Sequence, residues 1–149
     1  MTPAFEGDLV RPLGLMTLHA AYAEAEVDEL IGVLPAPEPF HERKRQWPVG
    51  RKLEYAQALV RTLKVSQLAG LLEMLENAKV LFKQRNELVH GRLFARGRLV
   101  SNRHEVPVRH VSPEDIVALA DRLFALKERL WIYRCKELPP LLSPLDGRE

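Results

Sequence analysis

The chain is poor in cysteine, and this limits the chemistry that it can perform. Cys135 is the single cysteine among 149 residues, so it forms neither an internal disulfide nor a thiolate metal cluster. No two histidines stand four residues apart beside an acid, which argues against a zinc site, and no glycine-rich phosphate loop is present. We therefore expect no metal and no other cofactor.

Long apolar runs are also missing. No apolar stretch reaches the length that spans a membrane, and the N-terminus lacks the basic and apolar regions of a signal peptide. Together with the single cysteine, this predicts a cytoplasmic protein that has no membrane partner. The length and the hydrophobic content of 46% predict one domain over 1–149, with a core over about 9–137.

Charge is nearly balanced overall but uneven along the chain. The net charge is +2, yet residues 1–42 carry 8 acids and 1 basic residue. Residues 43–110 carry 15 Lys/Arg and 5 acids, a local balance of 15 − 5 = +10. This central part is a candidate surface for a polyanion. The alternative interpretation is a solvated basic surface that has no ligand.

Hydrophobic spacing predicts a first helix over 9–34, which ends at a run of prolines because proline supplies no backbone donor. The apolar residues at helical intervals are Leu15, Leu18, Ala21, Tyr22, Ala25, Leu30 and Leu34. The acids predicted to face solvent are Glu24, Glu26, Asp28 and Glu29. A second helix is expected over 51–65. Trp47, in the connection, is expected to close over an edge of the core, and stacking on a base is the alternative.

A third helix is predicted over 67–91, with Ser66 able to cap it. Its apolar residues recur every seven positions and form a bundle seam: Leu68, Leu75, Phe82 and Val89. The period then changes, which predicts two short strands over 93–100 and 105–111 around a turn at 101–104.

The last helix has a clear predicted start. Ser112 can cap it, Pro113 suits its first turn, and the acids at 114 and 115 complement the helix dipole. Its apolar residues cover much of its circumference, which predicts burial against more than one neighbour, a second subunit among the candidates. Pro139 and Pro140 are expected to stop it, leaving an extended or disordered tail over 138–149. These elements predict an all-α fold, an antiparallel four-helix bundle with a short β-hairpin between its third and fourth helices.

The run from Arg85 through Asn86 to His90 ends the third predicted helix and is the candidate site. A guanidinium is a permanently charged fork for phosphate oxygens, and an imidazole exchanges protons near neutral pH. At about 100° per residue, Arg85 and His90 lie roughly 140° apart, at opposite edges of the apolar stripe. The alternative is structural: Arg85 pairs with an acid of a neighbouring helix, and His90 caps a carbonyl.

This motif resembles the signature of the HEPN superfamily, helical proteins many of which are ribonucleases. The resemblance covers the helix order over about 9–137, but only the motif is specific. It implies a homodimer in which two copies of the motif face one cleft. It also implies metal-independent endoribonuclease activity, in which a ribose 2′-hydroxyl attacks the adjacent phosphate. A toxin or a defence effector would be the biological setting.

Each motif residue takes a role from the resemblance. Arg85 would steady the scissile phosphate, His90 would transfer a proton, and Asn86 would orient the phosphate or the imidazole. The basic residues expected, from charge alone, to hold the RNA backbone are Arg92, Arg96 and Arg98.

The resemblance also bears on partners. HEPN toxins paired with a nucleotidyltransferase antitoxin often have a tyrosine two residues beyond the histidine, and here that position is Arg92. That antitoxin class is therefore not expected, whereas another antitoxin or inhibitor protein would suit a toxin. Some members have lost activity, so a non-catalytic module for protein association or nucleotide binding is the alternative function.

Overall fold

The computed structural model describes residues 9–90, 92–94, 98–100 and 109–146, and these are predominantly helical. The helices are α1 (Val10–Val33), α2 (Glu42–Arg45), α3 (Val49–Leu63), α4 (Ala69–His90), α5 (Pro113–Ile132) and α6 (Leu138–Asp146). A 3₁₀ turn (Ser66–Leu68) precedes α4, and a π-helical turn (Tyr133–Glu137) joins α5 to α6. The four predicted long helices are confirmed as α1, α3, α4 and α5. Within these ranges, no helix combines the length and apolarity that crossing a membrane requires.

Two predicted helix caps have opposite outcomes. At α5, the Asp115 backbone N–H donates to the Ser112 hydroxyl at 3.1 Å, and the Ser112 N–H donates to the Asp115 carboxylate at 3.0 Å. This reciprocal pair is a capping box, so the predicted start of α5 is confirmed. The prediction for Ser66 was wrong, because its hydroxyl lies 3.3 Å from the Gln67 side chain and caps no backbone donor.

The residues predicted to form a tail continue as a helix. Pro139 and Pro140 lie directly after the π-helical turn, inside a helical segment that runs without a break over 113–146. The wider π-helical turn that precedes them gives the proline rings room against the upstream carbonyls. Leu138 is buried, so α6 is anchored in the core. The prediction of a tail was therefore wrong over 138–146, and 147–149 lie outside the described residues.

In the described residues between α4 and α5, three very short strands take the place of the predicted two-stranded hairpin. They are β1 (Arg92–Phe94), β2 (Arg98–Val100) and β3 (Arg109–His110). Strand β2 pairs antiparallel with both neighbours, Leu93 lying opposite Leu99 on one side and Arg109 opposite Leu99 on the other. The strand predicted over 93–100 is thus two strands, and the turn predicted at 101–104 lies outside the described residues.

Helices α1 and α5 pack side by side and run in the same direction. The ring of His19 on α1 lies 5.3 Å from the ring of Phe124 on α5. Further towards the C-terminal end of α1, Glu26 Oε2 lies 3.1 Å from Nε of Arg134, which is in the π-helical turn that follows α5. This parallel pair departs from the antiparallel order predicted for the bundle. The connection over 34–48 does not carry the chain back along α1, because α3 begins beside the end of α1, where Lys52 Nζ lies 2.9 Å from Asp28 Oδ1.

The buried face of α1 is not the one that its leucine spacing predicted. The residues that α1 buries are Pro12, Met16, Ala20, Ala23, Val27, Leu30 and Ile31. Within the predicted stripe, Leu30 and Leu34 are buried, but Leu15, Leu18 and Tyr22 are exposed. The acids predicted to be solvated are mostly half-buried, and Glu29 alone is exposed. Basic partners on both neighbouring elements account for this difference.

Two ion-pair contacts hold α1 from opposite sides. On α3, Lys52 is 1% exposed and its Nζ lies 2.9 Å from Asp28 Oδ1 and 3.6 Å from Glu24 Oε2. In the π-helical turn, Arg134 donates to both Glu26 carboxylate oxygens, at 3.1 and 3.2 Å. The hydrogen bonds to Glu26 raise the pKa of Arg134. A bidentate guanidinium–carboxylate pair fixes orientation as well as charge, so together these contacts set the rotation of α1.

Loss of one partner of the buried Lys52 should cost more than loss of both charges together. Asp28→Ala leaves a buried ammonium without its nearest carboxylate, and we expect the free energy of unfolding to fall by about 3 kcal/mol. The double variant Asp28→Leu, Lys52→Met removes both charges and keeps a similar volume, so we expect a loss below about 1 kcal/mol. Urea unfolding of both proteins measures this, and a larger loss for the double variant would contradict it.

Candidate functional site

The candidate site lies where the core ends along α4. Leu68, Leu75 and Phe82 are buried as the seven-residue spacing predicted, but Val89 is 46% exposed. In the last two turns of α4, Leu88 is the described residue that remains buried. The motif therefore occupies the helix end just beyond the core, where polar side chains can reach both buried and open surroundings.

Arg85 lies at this boundary, and one of its guanidinium nitrogens has no hydrogen-bond partner among the described residues. Its residue is half-buried, and its guanidinium carbon lies 5.6 Å from the centre of the Phe82 ring. The Nε atom is buried and has no hydrogen-bond partner among the described residues. The alternative in which Arg85 pairs with an acid through this nitrogen therefore has no support. An unmatched buried donor is unfavourable, and because this atom is closed to solvent, a ligand would contact the terminal nitrogens of the guanidinium instead.

The structure describes the remaining predicted site residues to different extents. Asn86 is half-buried on the same last turns of α4, directly after Arg85. The backbone of His90 ends α4, but its side chain lies outside the described part of the structure. The same holds for the side chains of Arg92 and Arg98 in the strands, and Arg96 lies outside the described residues altogether. Of the predicted site residues, Arg85 and Asn86 are therefore those whose side chains the structure describes, as sequence neighbours at one helix end.

A groove between α4 and α5 begins beside the motif. A cavity of about 320 Å³ is lined by Gln84, Leu88, Val111, Asp115, Ala118, Leu119 and Arg122. A larger one of about 570 Å³ follows along the same two helices, with Arg122 and Arg129 in its lining. Arg122 lines both, so a basic residue lies midway along the groove. Sequence reasoning missed Arg122, because the turn of α5 that faces α4 depends on tertiary packing.

Trp47 has a structural setting that agrees with its prediction. The indole is half-buried and meets the Tyr55 ring edge-on at 5.5 Å. The Arg51 guanidinium lies 3.9 Å from its centre, close enough for a cation–π contact. Trp47 therefore closes over the outer edge of α3, as expected for a residue at the margin of the core.

Metal ligands are not clustered in the part of the chain that the structure describes. No group of three His, Cys, Asp or Glu residues in these ranges is arranged to hold a metal ion. Cys135 is exposed and free.

No protein-family model matches the chain, and no curated protein or solved structure matches it either. The resemblance to HEPN proteins therefore rests on the motif alone.

Removing the charge of Arg85 should not destabilise the fold. Arg85→Met keeps the aliphatic packing over Phe82 and removes a buried donor that has no acceptor, so the free energy of unfolding should change by less than about 1 kcal/mol. Thermal or urea unfolding measures this, with Phe82→Ala as a control that should lose about 3 kcal/mol or more. A loss above about 2 kcal/mol in Arg85→Met would mean that the guanidinium stabilises the protein and is not kept for a ligand.

Proposed function

We propose that the chain is a HEPN-like, metal-independent endoribonuclease, in which α1, α3, α4 and α5 form the bundle. It would act in the cytoplasm as a homodimer with a composite site, as a toxin or a defence effector. The observation that carries the proposal is the half-buried guanidinium of Arg85, which lies at the end of α4 beside Asn86 and pairs with no acid among the described residues. A charged donor at the core boundary is suited to an anionic ligand, and phosphate matches the guanidinium fork.

The proposed reaction needs a proton acceptor, a proton donor and a group that stabilises negative charge. One His90 takes the proton from the ribose 2′-hydroxyl, whose oxygen then attacks the adjacent phosphorus. The bond from phosphorus to the 5′-oxygen breaks, and the second copy of His90 protonates that leaving oxygen. Arg85 stabilises the charge that builds on the phosphate, and Asn86 orients it. The products are a 2′,3′-cyclic phosphate and a 5′-hydroxyl.

Binding of the RNA backbone would come from basic residues near the motif. Arg92, Arg96 and Arg98 follow it directly in the chain. On α5, Arg122 and Arg129 line the groove between α4 and α5, which begins beside Leu88. Contacts of this kind are independent of base sequence and weaken as salt rises. We therefore expect affinity to depend on ionic strength more than on sequence.

Cleavage of a structured RNA by the purified full chain in EDTA tests this function. Arg85→Ala should lower the rate by about a hundredfold or more, because the group that stabilises the developing charge is gone. His90→Ala should lower it by about a hundredfold or more, because proton transfer is lost. Mass spectrometry of the wild-type products should find cyclic phosphate ends.

Matched controls separate these effects from general losses of charge or fold. Arg61→Ala and His41→Ala remove the same side chains at exposed positions on α3 and before α2, and both should keep wild-type rates. The proposal is wrong if the wild type does not cleave RNA in EDTA, or if Arg85→Ala and His90→Ala cleave as fast as these controls.

A second function, a non-catalytic module for protein association, is favoured by a different observation. Leu15, Leu18 and Tyr22 are exposed on α1, and Phe124 and Trp131 are exposed on α5. Large apolar side chains in one region of a surface mark interaction sites more often than isolated ones do. In this case the wild type would not cleave RNA, and variants on this surface would change association instead.

A further inference from the structure

The outward face of α1 carries very little charge. Helices on protein surfaces normally place charged and polar residues opposite their buried face. On α1, two of the twelve exposed residues are charged, Arg11 near its start and Glu29 near its end. The twelve are Val10, Arg11, Gly14, Leu15, Thr17, Leu18, Ala21, Tyr22, Ala25, Glu29, Gly32 and Val33.

The largest of these side chains form one stripe. Leu15, Leu18 and Tyr22 are 38%, 46% and 48% exposed, and Ala25 continues their spacing. Steps that alternate between three and four residues keep side chains on one side of a helix, as in the seam of a coiled coil. Since the opposite face of α1 already lies in the core, this helix has two apolar faces and only one of them is covered.

The stripe on α1 is complementary to the same stripe on a second copy that runs in the opposite direction. If two copies of α1 lie antiparallel, with the twofold axis at the level of Ala20, then Arg11 faces Glu29 of the second copy. In the same register Leu15 faces the small Ala25, and Leu18 faces Tyr22. Each pair occurs twice, as a twofold interface requires.

A parallel arrangement lacks this complementarity. It would place Arg11 against Arg11 and Glu29 against Glu29, which is unfavourable, and would set Leu15 beside Leu15. Arg11 and Glu29 lie at equal distances from the level of Ala20, on opposite sides of it. Their opposite charges therefore favour a second copy of this chain as the partner, and they favour the antiparallel register. The geometry points to a homodimer in which two copies of this chain associate through antiparallel α1 helices.

The neighbouring helix extends the same surface. Phe124 is 43% exposed, and its ring contacts His19, one residue from the level of the proposed axis. Val117 and Trp131 lie seven residues to either side of Phe124 and are 36% and 41% exposed. Because α1 and α5 run side by side in the same direction, these side chains border the α1 stripe. They would pack against the edges of the second copy.

This dimer is not the one that the proposed ribonuclease needs. It forms through α1, whereas a composite site requires two copies of the α4 end to meet in one cleft, so pairing through α1 agrees with the second function, protein association. A variant on α1 tests this association, and a variant at Arg85 tests cleavage.

Charge reversal tests the register in solution. Sedimentation equilibrium of the purified full chain should give a dimer, and Arg11→Glu or Glu29→Arg should each raise the dissociation constant at least about tenfold, because each places like charges together twice. The double variant with both reversals restores opposite charges, so it should return to within about threefold of wild type. Arg61→Glu and Glu73→Arg reverse exposed charges elsewhere and should change nothing.

Disulfide trapping gives a second readout, in a Cys135→Ser background. With Leu15→Cys and Ala25→Cys in the same chain, oxidation should yield a covalent dimer, because these positions face each other across the axis. Leu15→Cys alone should not, since its two copies lie about 15 Å apart along the helices, beyond disulfide reach. A monomeric wild type, no rescue by the double reversal, or trapping by Leu15→Cys alone would overturn the inference.

Discussion

The rotation of α1 about its own axis is the constraint on which the surface of this protein depends. Lys52 holds Asp28 from the α3 side, and Arg134 holds Glu26 from the side of the π-helical turn. Small residues such as Ala20 and Ala23 then lie against the neighbouring helices, where short side chains allow close approach. Because ion pairs hold α1 on both sides, the stripe of Leu15, Leu18 and Tyr22 cannot rotate into the core and faces outward.

The protein uses charge at the boundary of its core in two ways. Acids of α1 that would otherwise be solvated are paired with basic residues, and pairing keeps them at the core boundary. Arg85 is at a similar boundary on α4, but it pairs with no acid among the described residues. A paired boundary charge fixes the fold, whereas an unpaired one is available for a ligand. This contrast is what separates Arg85 from Lys52 and Arg134 and supports its place in the proposed site.

Local sequence patterns predicted much of the helical structure, and tertiary contacts account for the rest. The capping box at Ser112 and the seam through Leu75 and Phe82 depend on nearby residues, so they could be predicted. The parallel direction of α1 and α5 depends on contacts between residues far apart in the chain, such as Glu26 and Arg134, which no local pattern shows. Pro139 was interpreted as a stop because the π-helical turn that accommodates it has no sequence signal.

The candidate site likewise combines features that local sequence patterns predict with features that depend on tertiary contacts. The position of Arg85 and Asn86 at the end of α4 follows from helical periodicity, and it was predicted. That Arg122 would line a groove beside them depends on how α4 and α5 face each other, and it was not predicted. The exposed stripe on α1 could not be separated from its buried one by spacing alone, since Leu18 and Met16 are both apolar and both at helical intervals.

The most direct test of how α1 is oriented is a distance between its two copies in solution. A spin label at Val33→Cys, in the Cys135→Ser background, lies 13 residues from the proposed axis, so two labels should be about 40 Å apart at 1.5 Å per residue. A pulsed dipolar measurement centred near that distance would support antiparallel pairing through the outward face of α1. A distance below about 20 Å, or no dipolar signal at high protein concentration, would contradict the account.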